Sequence, residues 1–351
     1  MALSREQRRQ LVAILGEDGV LDDPTHRRLY DGDAYTLDRF TPDAIVLPRD
    51  RNQVVEVVRW CNSQQIPFAP RGAGTGLSGG CLTLKGGLQI GLARMRGILE
   101  IDPFRRVARV EPGVVNLDLG KAVAAHGLTF APDPSSQAAC TLGGNFAGNS
   151  GGPHCLKYGV TLPHVLGATV VTPEGELLKL GGRHDPGPGV DLLGLLVGSE
   201  GTAGLAVELI LRLTPLPKAV RTLLAVFPSV TEAARSVSRV IARGVVPAAM
   251  ELIDAVMIRA VEQAFQLGFP QDAGAVLLIE IDGAVEDLPA QERVVEEVCR
   301  QYGCRQLELA KNEKERALLW KARKHAFGAV GRISPDYATQ DGVVPRAMVP
   351  A

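Results

Sequence analysis

The stretch PRGAGTGLSGG, from Pro70 to Gly80, constrains the fold most strongly, because it places five glycines within eleven residues. Gly74, Gly76 and Gly79 have the Gly-x-Gly-x-x-Gly spacing of a Rossmann dinucleotide turn. Such a turn must continue into a helix, whose N-terminus holds the pyrophosphate. Residues 80–91, which follow Gly79, contain four glycines, and each glycine costs a helix about 1 kcal/mol relative to alanine. The sequence therefore disfavours a Rossmann turn.

A glycine-rich loop can also bind an anion without a helix. Glycine adopts positive φ angles readily, so successive backbone N–H groups can converge on a phosphate. Thr75 and Ser78 add hydroxyl donors to the same loop. Considered alone, the loop is equally compatible with glycines that only make tight turns.

Two further segments share this composition. The longer one runs from Pro132 to Gly159 and contains Gly-Gly-Asn and Asn-Ser-Gly-Gly, and the shorter one is GSEGTAG, from Gly198 to Gly204. We expect the longer segment to approach a flat polar ligand closely rather than to build a core. Three small-residue loops separated by strands predict one extended ligand held between them.

Composition narrows the class of protein. A length of 351 residues suggests about two domains. The net charge of −1 gives no basic field for nucleic acid. No apolar run reaches the ~20 residues of a transmembrane helix, and the charged N-terminus favours a cytoplasmic protein, which could still lie at a membrane through its partners. The six cysteines include no C-x-x-C pair, which disfavours a disulfide framework and a zinc or iron–sulfur site.

The chain divides into three regions by its patterns. Residues 1–37 form a helical N-terminal segment, residues 38–217 alternate strands with glycine loops, and residues 218–351 alternate strands and helices. Asp50 is predicted to cap a helix, and Ser229 with Glu232 forms a capping box for another. The run Ala275–Asp282 predicts a strong strand.

The three glycine-rich segments together resemble the vanillyl-alcohol-oxidase-type (PCMH-type) FAD-binding domain. The runs NSGGPHCLKYGVTLPHVLGATVVTPEGE and LLVGSEGTAG are similar to the glycolate oxidase FAD-linked subunit and D-lactate dehydrogenase group, and so are LWKARKHAFGAVGRISPDY and QDGVVPR in the last region. The resemblance covers about residues 30–351. It implies an α+β chain, with a PCMH-type two-subdomain FAD-binding domain followed by an incomplete, ferredoxin-like α+β substrate or cap domain.

The resemblance implies FAD as the cofactor. The first loop would hold the pyrophosphate, the long segment would line the ribityl chain and isoalloxazine, and the last loop would close on the adenosine side. Many relatives attach FAD covalently through a histidine in or near the first loop, and none lies between Arg71 and Gly80. We therefore expect non-covalent FAD. The implied cofactor-binding residues are Arg71, Gly72, Gly74, Thr75, Gly76, Ser78, Gly79, Pro132, Asp133, Ser135, Thr141, Gly143, Gly144, Asn145, Asn149, Ser150, Gly151, Tyr158, Gly159, Glu200, Gly201 and Thr202.

The activity that the resemblance implies is oxidation of a D-2-hydroxy acid, of the glycolate or D-lactate class, to a 2-oxo acid by hydride transfer to flavin. Arg323 matches a position that pairs with the substrate carboxylate, and a guanidinium fork suits that role. Electrons would leave to an iron–sulfur subunit or another acceptor. The alternatives are a non-catalytic flavin or electron-relay subunit and a PCMH-type oxidase of another alcohol.

The family's base and metal ligands lie in a His-x-Gly-Asp-Gly-Asn-x-His stretch, and this sequence contains none. We therefore expect a C-terminally truncated chain of uncertain activity, with no assignable catalytic residue and a divalent metal only when that stretch is present. His154 and His325 are expected to be packing or polar loop residues.

Overall fold

The computed structural model describes residues 3–182, 189–266, 268–324, 326–334 and 337–350, so His184 and His325 lie outside the described residues. The backbone divides into two compact units. Unit 1 comprises Met1–Gly152 and Gly159–Leu216, and unit 2 comprises Pro153–Tyr158 and Pro217–Ala351. A short piece from the middle of the long glycine-rich segment thus belongs to unit 2.

The described helices are α1 (Arg5–Leu15), α2 (Pro24–Leu29), α3 (Arg51–Gln64), α4 (Asn116–Ala124), α5 (Leu142–Gly148), α6 (Cys155–Tyr158), α7 (Leu192–Leu196), α8 (Val230–Ala242), α9 (Ala255–Phe265), α10 (Leu288–Gln301), α11 (Glu313–Lys324) and α12 (Ala326–Val330). The described strands are β1 (Val20–Leu21), β2 (Ala44–Val46), β3 (Phe68–Arg71), β4 (Leu88–Gly91), β5 (Ile98–Asp102), β6 (Val107–Val110), β7 (Leu128–Thr129), β8 (Val165–Val171), β9 (Leu177–Gly181), β10 (Leu205–Arg212), β11 (Thr214–Pro215), β12 (Ala219–Phe227), β13 (Ala249–Asp254), β14 (Ala275–Gly283) and β15 (Gln306–Leu309). Within these ranges, no helix has the length and apolar character needed to cross a membrane.

Unit 1 contains two main sheets. The first has the order β1-β2-β4-β3, with β4 parallel to both β2 and β3, and the second is the antiparallel sheet β5-β6-β10-β8-β9. The predicted cap of α3 is confirmed, because Asp50 Oδ1 accepts from the N–H groups of Asn52 and Gln53. The sequence VLGATVVTPEGELLKLGG predicts a hairpin with its turn at Pro173–Gly175, and this hairpin is confirmed as the antiparallel pair β8–β9. Two sheets in one unit match the expected two-subdomain arrangement.

One expectation for the long glycine-rich segment is wrong. We expected it to build no core, but α5 lies within it, and Leu142 and Phe146 are 1% and 2% exposed in a core cluster of unit 1. These two side chains are four residues apart and therefore share one helix face. Thr141 begins the helix by accepting from the Gly144 N–H at 3.3 Å. The intervening glycines hide a short amphipathic helix.

Unit 2 is built on the antiparallel sheet β13-β14-β12-β15. Numbered within the unit, this is the order 2-3-1-4 of a ferredoxin-like sheet, as the resemblance implied. Apolar side chains of α8 and α10 pack on one face, and those of α9, α11 and α12 pack on the other. The strand predicted at Ala275–Asp282 is the central β14. Strand β13 and helix α9 were not predicted.

Candidate functional site

The first glycine loop follows β3 and requires glycine at position 74. Gly74 has a φ of +70°, and a Cβ there would lie 2.2 Å from Arg71 Nη2. Its carbonyl accepts from the Ala34 N–H at 3.0 Å. Residues 72–87, which the structure describes throughout, contain no helix. The exclusion of a Rossmann turn is therefore confirmed.

The Arg71 side chain is used inside unit 1. It is 9% exposed, it donates to the Gly32 carbonyl at 2.9 Å, and its guanidinium lies 5.2 Å from the centroid of the Tyr30 ring. These contacts hold the segment between α2 and β2 against Arg71, at the start of the first glycine loop. The Nη1 group of Arg71 is therefore used within unit 1.

The last glycine loop, Gly198–Gly204, lies directly against the first. Ser78 Oγ donates to Glu200 Oε1 at 2.8 Å, and a Cβ on Gly80 would lie 2.4 Å from Glu200 Oε2. Gly201 has a φ of +77°, and a Cβ there would lie 2.3 Å from Pro70 Cγ. Only glycine permits the backbone to approach the Glu200 and Pro70 side chains so closely.

The long segment contacts both of these loops, and the three glycine-rich segments together form what we call the glycine cluster. The N–H groups of Gly198 and Glu200 donate to the carbonyls of Phe146 and Ala147 at 3.0 and 2.8 Å, so the last loop satisfies the C-terminal end of α5. A Cβ on Gly72 would lie 2.6 Å from Thr141 Oγ1. The three segments therefore meet, as the sequence predicted.

Buried amides fix the long segment from below. Asn145 is 2% exposed, and its Oδ1 accepts from Asn116 Nδ2 at 3.0 Å. Asn116 also donates to the Pro132 carbonyl at 3.0 Å. Sequence reasoning missed Asn116. An asparagine directly after the apolar pair Val114 and Val115 was the available signal, because a buried amide needs partners.

Two hydrogen-bonded residue pairs join the chain on either side of Pro153–Tyr158, the piece that belongs to unit 2. Asn149, with a φ of +46°, accepts at Oδ1 from the Leu162 N–H at 2.9 Å. The Ser150 carbonyl accepts from Thr161 Oγ1 at 2.7 Å. Farther along, a Cβ on Gly152 would lie 2.2 Å from the Asp133 carbonyl oxygen.

The accessible part of the cluster suits a phosphate-bearing ligand. A Cβ on Gly76 would have no heavy atom within 4 Å, so the backbone there faces open space. The buried members are Pro132, Thr141 and Asn145; the partly buried ones are Gly72, Thr75, Gly79, Asp133, Gly143, Gly144, Asn149, Ser150, Gly151, Gly159 and Gly201; and the exposed ones are Gly76, Ser78, Ser135, Glu200 and Thr202. Bare backbone with nearby hydroxyls fits the pyrophosphate of FAD.

Tyr158 is positioned differently from the other cofactor candidates. It belongs to unit 2, where its hydroxyl donates to Asp282 Oδ2 at 2.5 Å. Burial, followed by this hydrogen bond, raises the pKa of Tyr158. Lys157 pairs with the same carboxylate. The hydroxyl of Tyr158 is therefore committed to the sheet of unit 2.

Glu280, on β14 beside Asp282, forms the centre of a buried polar cluster. It is 2% exposed. Its Oε1 lies 3.0 Å from His154 Nε2. Its Oε2 accepts from Thr222 Oγ1 at 2.8 Å and from Trp320 Nε1 at 2.7 Å. Arg316 donates to both oxygens, at 3.0 and 3.2 Å.

Burial alone would raise the pKa of Glu280. The hydrogen bonds from His154 and Arg316, the charge of Arg316 and the bond from Trp320 outweigh it and lower that pKa to about 2. Sequence reasoning missed the cluster, although two carboxylates at alternate positions of an apolar strand were a usable signal, because buried charges must be paired.

Arg323, the substrate-binding candidate on α11, lies in unit 2 with 27% of its side chain exposed, and its Nε donates to Glu251. Within the described residues, no three His, Cys, Asp or Glu side chains are grouped to hold a metal ion.

Comparison with known proteins identifies both regions. Residues 42–181 match the family model for an FAD binding domain, and residues 216–351 match the model for the C-terminal domain of FAD linked oxidases. Glycolate oxidase subunit GlcD of Escherichia coli (strain K12) is 46% identical over 92% of this chain. GlcD of Bacillus subtilis (strain 168) is 37% identical over 99% of the chain, and D-lactate dehydrogenase of Anaerostipes hadrus is 34% identical over 78%. The chain spans 64%, 74% and 58% of these three proteins, respectively.

Solved structures share the fold. Alkyldihydroxyacetonephosphate synthase matches with a TM-score of 0.78 at 21% identity, over 94% of this chain and 64% of that one. p-Cresol methylhydroxylase matches with a TM-score of 0.71 at 16% identity, over 92% and 71%. The expected PCMH-type fold is confirmed, and the cofactor is FAD. The chain belongs to the FAD-linked oxidase family that includes GlcD and the D-lactate dehydrogenases.

Proposed function

We propose that the protein oxidises a D-2-hydroxy acid of the glycolate or D-lactate class to the 2-oxo acid. The observation that carries this proposal is the convergence of three glycine-rich segments in unit 1 of a chain from this family. Relatives named glycolate oxidase subunit and D-lactate dehydrogenase support the substrate class.

In this proposal FAD, when bound, would supply the acceptor for the hydride that leaves the substrate Cα. The main-chain N–H groups of Gly74, Gly76 and their neighbours hold the pyrophosphate, because they donate hydrogen bonds without placing side chains in its path. Arg323 binds the substrate carboxylate and thereby orients the Cα–H bond. The hydroxyl proton would pass to a base, which the family resemblance places in the His-x-Gly-Asp-Gly-Asn-x-His stretch.

The experiment that tests this function is anaerobic reduction of the flavin in the complete protein. We expect glycolate or D-lactate to bleach the oxidised flavin absorbance near 450 nm at a few millimolar, about the upper end of ordinary KM values. L-Lactate serves as the matched control, because it differs only in configuration at Cα. If the flavin stays oxidised with glycolate and with D-lactate, yet is reduced by dithionite, this substrate class is excluded.

We further propose that the flavin is held non-covalently, because no histidine lies between Arg71 and Gly80. Precipitating the protein in acid should release essentially all the yellow cofactor into the supernatant. The measurement is flavin fluorescence in the supernatant and in the washed pellet. Fluorescence that remains with the polypeptide would show covalent attachment.

The electron acceptor is the remaining partner. We propose that the electrons pass to an iron–sulfur subunit or to another electron acceptor. The support is that the relatives from Escherichia coli and Bacillus subtilis are named as subunits.

A further inference from the structure

Glu280 joins two pieces of chain that are far apart in sequence. Its Oε1 contacts His154, in the segment Pro153–Tyr158, while both oxygens contact α11 through Arg316 and Trp320. His154 also packs on Trp320, with ring centroids 5.6 Å apart. Glu280 thus makes five side-chain hydrogen bonds within unit 2, and four of them are to residues outside its sheet.

We propose that Glu280 is a positioning residue that holds two working parts of the enzyme, the flavin-binding segment through His154 and the substrate-binding helix α11 through Trp320 and Arg316. The connection to α11 rests on the proposed function, in which Arg323 binds the substrate. The connection to the flavin-binding segment rests only on the binding of FAD.

The flavin connection follows from chain continuity. Segment Pro153–Tyr158 follows Gly152 directly, and Gly152 follows the proposed FAD-binding residues Asn149, Ser150 and Gly151. Only three residues separate Ser150, held by Thr161, from His154. Four Cα–Cα steps join Ser150 to His154, and they span at most about 14 Å. Fixing His154 on Glu280 therefore limits where Gly151 and Gly152 can lie.

The substrate connection follows from helix geometry. Arg316, Trp320 and Arg323 occupy positions i, i+4 and i+7 of α11, so they share one face of the helix. Two of the three are bonded to Glu280. Anchoring them sets both the rotation of α11 and its height along the axis, and hence the position of the Arg323 guanidinium.

The two connections can be separated because different donors serve them. His154→Phe removes the hydrogen bond between His154 and Glu280 Oε1 while keeping an aromatic ring beside Trp320. Trp320→Phe removes the Nε1–H donor while keeping an aromatic ring on α11. Thr222→Val is the matched control, because Thr222 also donates to Glu280 but lies on β12 and belongs to neither piece.

The test measures FAD affinity by titrating the deflavinated complete protein, KM by steady-state kinetics, and Tm. We expect His154→Phe to raise the Kd for FAD about ten-fold, and Trp320→Phe to raise KM for the hydroxy acid about ten-fold without changing the Kd. Glu280→Gln should raise both, since an amide cannot accept all five bonds. Thr222→Val should lower Tm and leave Kd and KM within two-fold of the wild type.

Two outcomes would overturn the proposal. In the first, Thr222→Val changes Kd and KM as much as the other variants, which would make the cluster a general stabiliser. In the second, His154→Phe and Trp320→Phe lower Tm alone. If Glu280→Gln does not fold, these two variants still decide. If no hydroxy acid reduces the wild-type flavin, the proposed function fails, while the Kd values of His154→Phe and Thr222→Val still test the flavin connection.

Discussion

Replacing Arg323 with alanine should lower kcat/KM for the hydroxy acid about 100- to 1000-fold in the complete protein while FAD stays bound. A partly buried guanidinium that binds a carboxylate makes two charge-assisted hydrogen bonds, and truncating such a partner costs about 2–5 kcal/mol. Steady-state kinetics measures the first effect, and the flavin absorbance of the purified variant measures the second.

The ion pair of Arg323 with Glu251 demands a control, because Arg323→Ala also strips a partly buried carboxylate of its partner. The double variant Arg323→Ala/Glu251→Gln should recover the lost Tm but not kcat/KM. Arg243→Ala is the surface control, since Arg243 pairs with the exposed Glu297 at 3.2 Å. Kinetics in Arg323→Ala that match those of Arg243→Ala would leave Arg323 with a structural role alone.

Short sequence patterns predicted those helices and strands that are determined by neighbouring residues in the sequence. The cap at Asp50, the β8–β9 hairpin and the strand β14 each follow from a capping side chain, a turn or an apolar run. The order of the sheet in unit 2 came only from the family resemblance, because strand order is set by long-range pairing that no short pattern encodes. Helix α5 was missed because its two buried side chains lie among glycines that disfavour helix.

The sequence predicted the part of the candidate site that is built from main chain. Gly74 and Gly201 have positive φ angles and lie close to neighbouring atoms, and such positions require glycine. The glycine content of the three segments therefore indicated that they meet. The polar cluster was not predicted, because its contacts join His154 and Lys157 to Glu280 and Asp282, which lie more than 120 residues away in sequence. The resemblance implied a cofactor role for Arg71, and the structure shows that its side chain donates to the Gly32 carbonyl within unit 1.

The first loop allows fold and cofactor binding to be tested separately, with two alanine variants. Gly74→Ala should destabilise the protein by about 2–3 kcal/mol and abolish FAD binding, because alanine at a positive φ is strained and its Cβ would displace the buried Arg71 guanidinium. Gly76→Ala should leave the Tm of the deflavinated protein unchanged, since its Cβ meets no atom within 4 Å.

If the pyrophosphate lies against Gly76, that same methyl group must occupy part of its place, so Gly76→Ala should raise the Kd for FAD at least ten-fold. Gly120→Ala is the matched control: it also adds a methyl group in open space, within α4, where alanine stabilises the helix by about 1 kcal/mol. Its Kd should equal that of the wild type. A normal Kd in Gly76→Ala would mean that the phosphates bind elsewhere along the cluster, because a stable loop with unaltered affinity has nothing pressed against its backbone at that residue.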